Sequence, residues 1–189
     1  CSGVTNILVE LANGVADQSK REDLLQQLVQ IHFAIINQLK HPEQLTSSIN
    51  EILSIVSQCA EKSALESSEK LTDQLVACGE LMSTHILCQL MRERGHNTQR
   101  FDIRLVMKTT SNFGSAEPLL DQIRVAAEAR LLPLLDDSIV ITQGFIGSDE
   151  QNETTTLGRG GSDYSAALIA EAISATGLEI WTDVPGIYT

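Results

Sequence analysis

The sequence is short of positive charge. Thirteen Lys and Arg stand against 25 Asp and Glu, a formal net charge of −12. Nucleic acid and anionic lipid both require a basic face to neutralise phosphates, so neither is expected as the main partner. No apolar run approaches the roughly 20 residues that cross a bilayer, so no membrane helix is expected. The opening CSGVTNILVE lacks the charged start and long apolar stretch of a signal peptide, and it lacks an initiator Met, which suggests a fragment. Cysteine is sparse: Cys1, Cys59, Cys78 and Cys88 show no C-x-x-C spacing, and His32, His41, His85 and His96 are scattered. A structural metal is therefore not expected. Cys78 and Cys88, inside one apolar helical pattern, read as reduced core thiols. Three catalytic signatures are missing too. There is no G-x-x-x-x-G-K-[ST] loop, residue 163 is Asp where a G-x-G-x-x-G motif needs Gly, and Ser162 has no histidine with a motif around it.

What is present is an ordinary globular composition over 189 residues, 42% hydrophobic and 20% charged, enough for one substantial domain. Apolar positions at Leu24, Leu25, Leu28, Ile31, Ile35, Ile36 and Leu39 predict a helix over 22–40. Ile49, Ile52, Leu53, Val56 and Cys59 predict a second over 43–62, beyond the break at Pro42. The pair reads as a helical hairpin, most simply a packing insertion. A third helix is expected over 72–94, with Thr72 as N-cap, Asp73 in the first turn and Gly95 just past the end. Gly79 and Glu80 interrupt its apolar centre. A mid-helix glycine costs about 0.5–1 kcal/mol relative to alanine, so a close approach should compensate it. Glu80 is either solvated or waiting for a cation.

Beyond Gly95 the pattern turns strand-like, with a short strand expected at Gln99–Ile103 and a loop over TTSNFGSAEP. Pro118 suits the first turn of a helix running to Pro133. IVITQGFIG, residues 139–147, reads as one strand buried on both faces. SDEQNE is a turn and TTTLGRGG a loop; DYSAALIAEAISA is a helix closed by Gly177, and LEIWTDV a last buried strand. Alternating strands and helices predict an α/β sandwich around a mostly parallel sheet, with ligands at the carboxyl ends of strands. No repeat or linker divides the chain.

Two constellations carry chemistry. In GRGGSD, glycines expose backbone N–H groups ahead of a helix, a natural anion site. Arg159 adds a fork that fits a carboxylate or phosphate, and Asp163 can accept from an ammonium or orient a lysine. The combination suits a zwitterion whose amine meets Asp163 or a carboxylate such as Glu80; a capped helix with a solvated Arg159 is the plainer alternative. In WTDVPGIYT, Asp183 could bond a ribose, an adenine amine or a hydrated metal, and Tyr188 could pack on a base. An Asx-type turn beside a core tryptophan explains the same residues equally well.

TTTLGRGGSDYSAALIAEA followed by EIWTDVPGIYT resembles the aspartokinases of the amino-acid kinase family. The resemblance extends back through QGFIG, FDIRLVMKTTSNFGSAEP, ACGELMS and SGVTN, and is greatest to monofunctional, lysine-sensitive members. It implies a three-layer αβα sandwich and ATP-dependent phosphorylation of the β-carboxylate of L-aspartate, the first step of lysine, threonine and methionine biosynthesis, in a cytoplasmic homo-oligomer. By the same resemblance Thr5, Glu80, Arg159, Gly160 and Ser162 would bind aspartate and Asp163 would be catalytic. Thr182, Asp183 and Tyr188 would bind ATP, with Mg²⁺ carried by its phosphates and no metal ligand in the protein. The family's Lys-Phe-Gly-Gly segment and C-terminal ACT domains are not in these 189 residues, so residues 1–189 read as part of a catalytic domain, with the 22–62 hairpin inside it. The chain alone is expected to be inactive. The alternatives are another amino-acid kinase, acting on glutamate, N-acetylglutamate or a nucleotide monophosphate, and a non-catalytic ligand-binding or assembly module.

Overall fold

A computed structural model describes residues 3–158 and 160–181. Four helices come first: α1 (Val4–Ala12), α2 (Gln18–Ile36), α3 (Glu43–Leu65) and α4 (Glu69–Glu93). Helix α2 begins four residues before the predicted start because Asp17 caps it, accepting from the amides of Ser19 and Lys20. Its buried residues Leu24, Leu28, His32 and Ile36 recur every fourth position, a single stripe turned inward. Helix α3 buries Ile49, Ile52, Leu53, Val56 and Cys59, the face the sequence indicated. The expected hairpin does not stand apart, since α1 and α4 share its apolar core.

Helix α4 starts at Glu69, not at Thr72. Ser68 is the cap, its hydroxyl accepting from the Leu71 amide, and the Thr72 hydroxyl instead donates to the Ser68 carbonyl. Asp73 therefore lies in the second turn, where the helix dipole no longer favours it. The helix ends as expected, with Gly95 at φ 88°. At its centre Leu75, Val76, Ala77 and Cys78 are all buried, because α4 serves two cores. Val76 and Cys78 pack with the helical group, whereas Ala77 packs with the strands and later helices. Gly79 has the close approach its position called for: a Cβ there would lie 3.0 Å from Leu8 Cδ1 and 3.3 Å from Val4 Cγ1 of α1.

The second half is built from short strands and two helices: β1 (Thr98–Arg100), α5 (Leu120–Arg130), β2 (Ile139–Ile141), β3 (Ile146–Ser148), β4 (Thr154–Thr156) and α6 (Gly161–Ala172). β1 and β2 pair in parallel, Thr98 opposite Ile139. β3 and β4 pair antiparallel, and a parallel bridge joins Lys108 to Ser148. The α/β class holds, although among the described residues the strands form two small pairs, one of each kind. Several expectations need correction. Residues 101–103 leave the strand for a 3₁₀ turn over Ile103–Leu105, because Asp102 accepts from the Arg104 amide and caps it. Pro118 precedes the helix, since Leu119 is the capping residue of α5. The run 139–147 is broken in two: Gln143 turns inward, accepting from the Ile103 amide and donating to Thr84 Oγ1, and Phe145 takes a φ of 70°. Its first residue, Ile139, is 47% exposed. Thr154–Thr156 is strand, as its β-branched side chains favour. Leu178, Ile180 and Trp181 are exposed, Trp181 at 90%, and residues 178–181 join no ladder among the described residues. The described part of the strand expected over 178–184 is thus not strand, and the rest lies outside the described residues. Trp181 is at the surface and not in the core where the Asx-turn alternative put it.

Candidate active site

A cleft of about 500 Å³ lies where α1, α4 and the start of α6 converge. Helix α4 contributes Glu69, Asp73, Val76 and Glu80, spaced so that all fall on one face. Helix α1 contributes Thr5 and Val9. The far wall is the loop before α6 and its first turn: Gly158, Gly160, Gly161, Ser162 and Asp163. Of the residues singled out for substrate binding and catalysis, Thr5, Glu80, Gly160, Ser162 and Asp163 thus line one cleft, although the first and last are 158 positions apart. Arg159, Thr182, Asp183 and Tyr188 lie outside the described residues.

The α6 wall is shaped by glycine. Gly160 caps the helix at φ 72° and has no side chain to cap it with, so no capping side chain occupies the first-turn amides. Gly161 is required sterically, because a Cβ there would fall 2.6 Å from Phe145 Cδ2. Phe145 in turn is held by Ser165, whose hydroxyl accepts from the Phe145 amide at 2.9 Å and reaches the Gly161 carbonyl at 2.7 Å. The Gln143–Phe145 turn and the helix N-terminus are therefore one packed unit.

Of the three carboxylates on the α4 wall, Asp73 and Glu80 are in opposite states. Asp73 is buried and fully engaged: Oδ2 accepts from the amides of Gly114 (2.9 Å) and Thr156 (3.0 Å), and Oδ1 from Thr156 Oγ1 (2.7 Å). Burial pushes its pKa up while these donors pull it back. Glu80, two turns further on, has no hydrogen-bond or ion-pair partner for its carboxylate among the described residues. Burial holds its pKa above the usual carboxylate range. Among the described residues Glu80 is thus a half-buried carboxylate without a partner, and such a charge is stabilised by a cation. With helix-terminal amides opposite, the cleft offers complementary charge to both ends of an amino acid. Among the described residues, no group of three or more His, Cys, Asp or Glu is arranged to hold a metal ion.

Sequence reasoning missed Asp73, Ser165 and Phe145. Asp73 had a signal, since it sits seven positions before Glu80 on a helix and so shares its face. The other two act through backbone geometry that no local pattern announces.

Among the described residues, the site sets a glycine-opened helix start across a cleft from an unpaired carboxylate, within an α/β frame. Residues 2–189 match the amino acid kinase family, and the chain belongs to it. It is 48% identical over 188 residues to lysine-sensitive aspartokinase 3 of Escherichia coli (strain K12), covering 100% of this chain and 42% of that protein. To an aspartokinase of Chlamydia pneumoniae it is 35% identical over 188 residues, again 100% of this chain and 40% of the relative. The crystal structure of E. coli aspartokinase III in complex with aspartate and ADP superposes with a TM-score of 0.96 at 48% identity, over 100% of this chain and 42% of that one. The chain thus spans well under half the length of the relatives it matches. No helix among the described residues is long and apolar enough to cross a membrane.

Proposed function

We propose that these residues form the amino-acid-binding part of an aspartate kinase catalytic domain, which transfers the γ-phosphoryl group of ATP to the β-carboxylate of L-aspartate. The product is 4-phospho-L-aspartate, and the reaction opens lysine, threonine and methionine biosynthesis in the cytoplasm. The observation that carries this reading is Glu80: a half-buried carboxylate without a partner among the described residues, in one cleft with the first turn of α6. In this reading Glu80 receives the α-ammonium of aspartate. The α-carboxylate meets Arg159 and the amides around Gly160 and Ser162, and Thr5 closes the pocket from α1. The β-carboxylate is already ionised near neutral pH, so no general base is required. Catalysis is then positioning and charge compensation, with Asp163 orienting the reacting groups. Mg²⁺ held on the nucleotide phosphates would supply positive charge to the transferred group. Thr182, Asp183 and Tyr188 are assigned to the nucleotide by resemblance alone.

Initial-rate kinetics on the intact protein test the proposal. ADP release should depend on aspartate, and Glu80→Gln should raise the aspartate KM by about tenfold or more while the ATP KM moves by less than about twofold. Equal losses for both substrates, or ADP release indifferent to aspartate, would overturn it.

A further inference from the structure

A second cleft, of about 340 Å³, lies away from the first and shares no lining residue with it. Helix α4 contributes His85, Gln89 and Arg92, four and then three positions apart, so they lie on one face. Helix α3 adds Gln44 and Ser48, one turn apart, and Arg100 closes the site from the end of β1. Each of these side chains can donate a hydrogen bond, and no carboxylate lines the cleft. In a chain of net charge −12 this is a local reversal of sign.

The two guanidiniums are also uncommitted. Four cations elsewhere pair with carboxylates: Lys20 with Glu10, Lys70 with Glu153, Arg104 with Asp102, and Arg124 with Asp121 and Glu171. Among the described residues neither Arg92 nor Arg100 makes such a pair. Arg92 spends only Nε, donating to the Thr98 carbonyl at 3.0 Å, which fixes the side chain and leaves both terminal nitrogens. Glu93, the neighbouring acid, is engaged by other donors: it accepts from the amides of Lys40 and His41 and from Gln89 Nε2. His85 reports the resulting field. Burial, then Arg100 and Arg92, push its pKa down to about 4, with Glu51 of α3 pulling weakly the other way. The ring is therefore neutral at pH 7 and can still donate one N–H. Cys88 beside it is a buried thiol whose pKa is pushed up by burial, so it adds no negative charge near neutral pH.

We propose that this cleft binds a small phosphate, either inorganic phosphate or the phosphoryl group of a phosphomonoester, gripped between the guanidiniums of Arg92 and Arg100. Two positive charges match the dianion, and planar forks fit its oxygens in pairs. Gln44, Ser48 and neutral His85 complete the donor set around it. The site does not depend on the reaction assigned to the first cleft.

Calorimetric titration of the intact protein at low ionic strength, with inorganic phosphate and separately with glycerol 3-phosphate, tests this directly. Saturable binding is expected for the wild type and for Arg124→Gln, an arginine remote from the cleft. Binding should weaken by about tenfold or more in Arg92→Gln and Arg100→Gln, each of which loses a charged fork. The tighter of the two probes identifies the source of the phosphoryl group. Absence of saturable binding of either probe, or binding untouched by both substitutions, overturns the proposal. A measurement on the wild type needs no variant: phosphate should raise the His85 pKa in an NMR titration, because an anion beside the ring favours its cationic form. A His85 titration unchanged by saturating phosphate also overturns it.

Discussion

Asp73 holds Thr156 twice, accepting from its hydroxyl at 2.7 Å and from its backbone N–H at 3.0 Å, across 83 positions of sequence. The same carboxylate takes the Gly114 amide at 2.9 Å. One side chain on α4 thus ties down the end of β4 and the 111–116 loop, both of which border the first cleft. Thr156 in turn accepts from the Ala116 amide through its carbonyl, which closes the link between the two segments.

Asp73→Ala removes both acceptor oxygens and leaves the Gly114 and Thr156 donors without this partner, at a cost of about 1–3 kcal/mol for each buried donor left unpaired. Urea unfolding of the variant should show that loss, and the aspartate KM should rise because the loop leading into α6 is less well held. A variant with wild-type stability and wild-type KM would mean that the three bonds carry no tension on the cleft.

Glu80 should cost stability in exchange for binding. Its folded-state pKa lies above the ordinary carboxylate value, so its contribution is fully present below that ordinary value and is lost as pH rises through the folded one. Glu80→Gln removes the loss. Without ligand, the variant should therefore melt higher than the wild type at pH 7, and the gap should close at about pH 4. Thermal unfolding at the two pH values checks this, and saturating aspartate should reverse the order at pH 7. A wild type that melts higher than the variant at pH 7 without ligand would contradict the reading of Glu80 as an unpaired charge.

Gly147 should tolerate no side chain. A Cβ there would lie 2.6 Å from the Met107 carbonyl oxygen and 2.8 Å from Thr109 Cγ2. The clash is with backbone that cannot move freely, since Met107 O accepts from the Ser148 amide and Thr109 N donates to Ser148 O. Gly147→Ala should cost about 1–3 kcal/mol, lowering Tm by roughly 2–4 °C for each. Gly95→Ala is the contrast: nothing lies within 4 Å of its Cβ position, so only the φ of 88° is penalised. Calorimetry on both variants separates crowding from backbone strain.

The three thiols among the described residues should be silent in the native state. Cys59, Cys78 and Cys88 are buried and unpaired, and burial pushes Cys78 up to about 12. Little thiolate exists at pH 8, and the thiolate is the reactive form. Iodoacetamide followed by mass spectrometry should leave all three unmodified until denaturant is added. Rapid native labelling of Cys78 would show that α3 and α4 separate far more readily than their packing implies.

Much of this was legible in the chain. The apolar stripes of α2 and α3 placed two helices correctly, and the glycines with Ser162 and Asp163 marked the start of α6. Boundaries were less legible where one polar atom decides them: Ser68, not Thr72, caps α4, and Asp17 adds a turn to α2. The strand expected over 139–147 failed because apolar character shows that a segment is buried but not where it turns. The turn at Gly144–Phe145 exists to clear α6, since a Cβ on Gly144 would lie 3.1 Å from Ser162 Cα.

The sequence by itself determined most of the helical segments, though not α1, and which family this chain belongs to, because those properties depend on neighbours within a few positions or on motifs read in order. Only the tertiary structure decided that, among the described residues, Glu80 lacks a partner while Asp73 has three donors, and that Arg92 and Arg100 line a second cleft. Both carboxylates occupy one helix with similar local surroundings. What separates them is which distant backbone N–H groups arrive in space, and no local pattern encodes that.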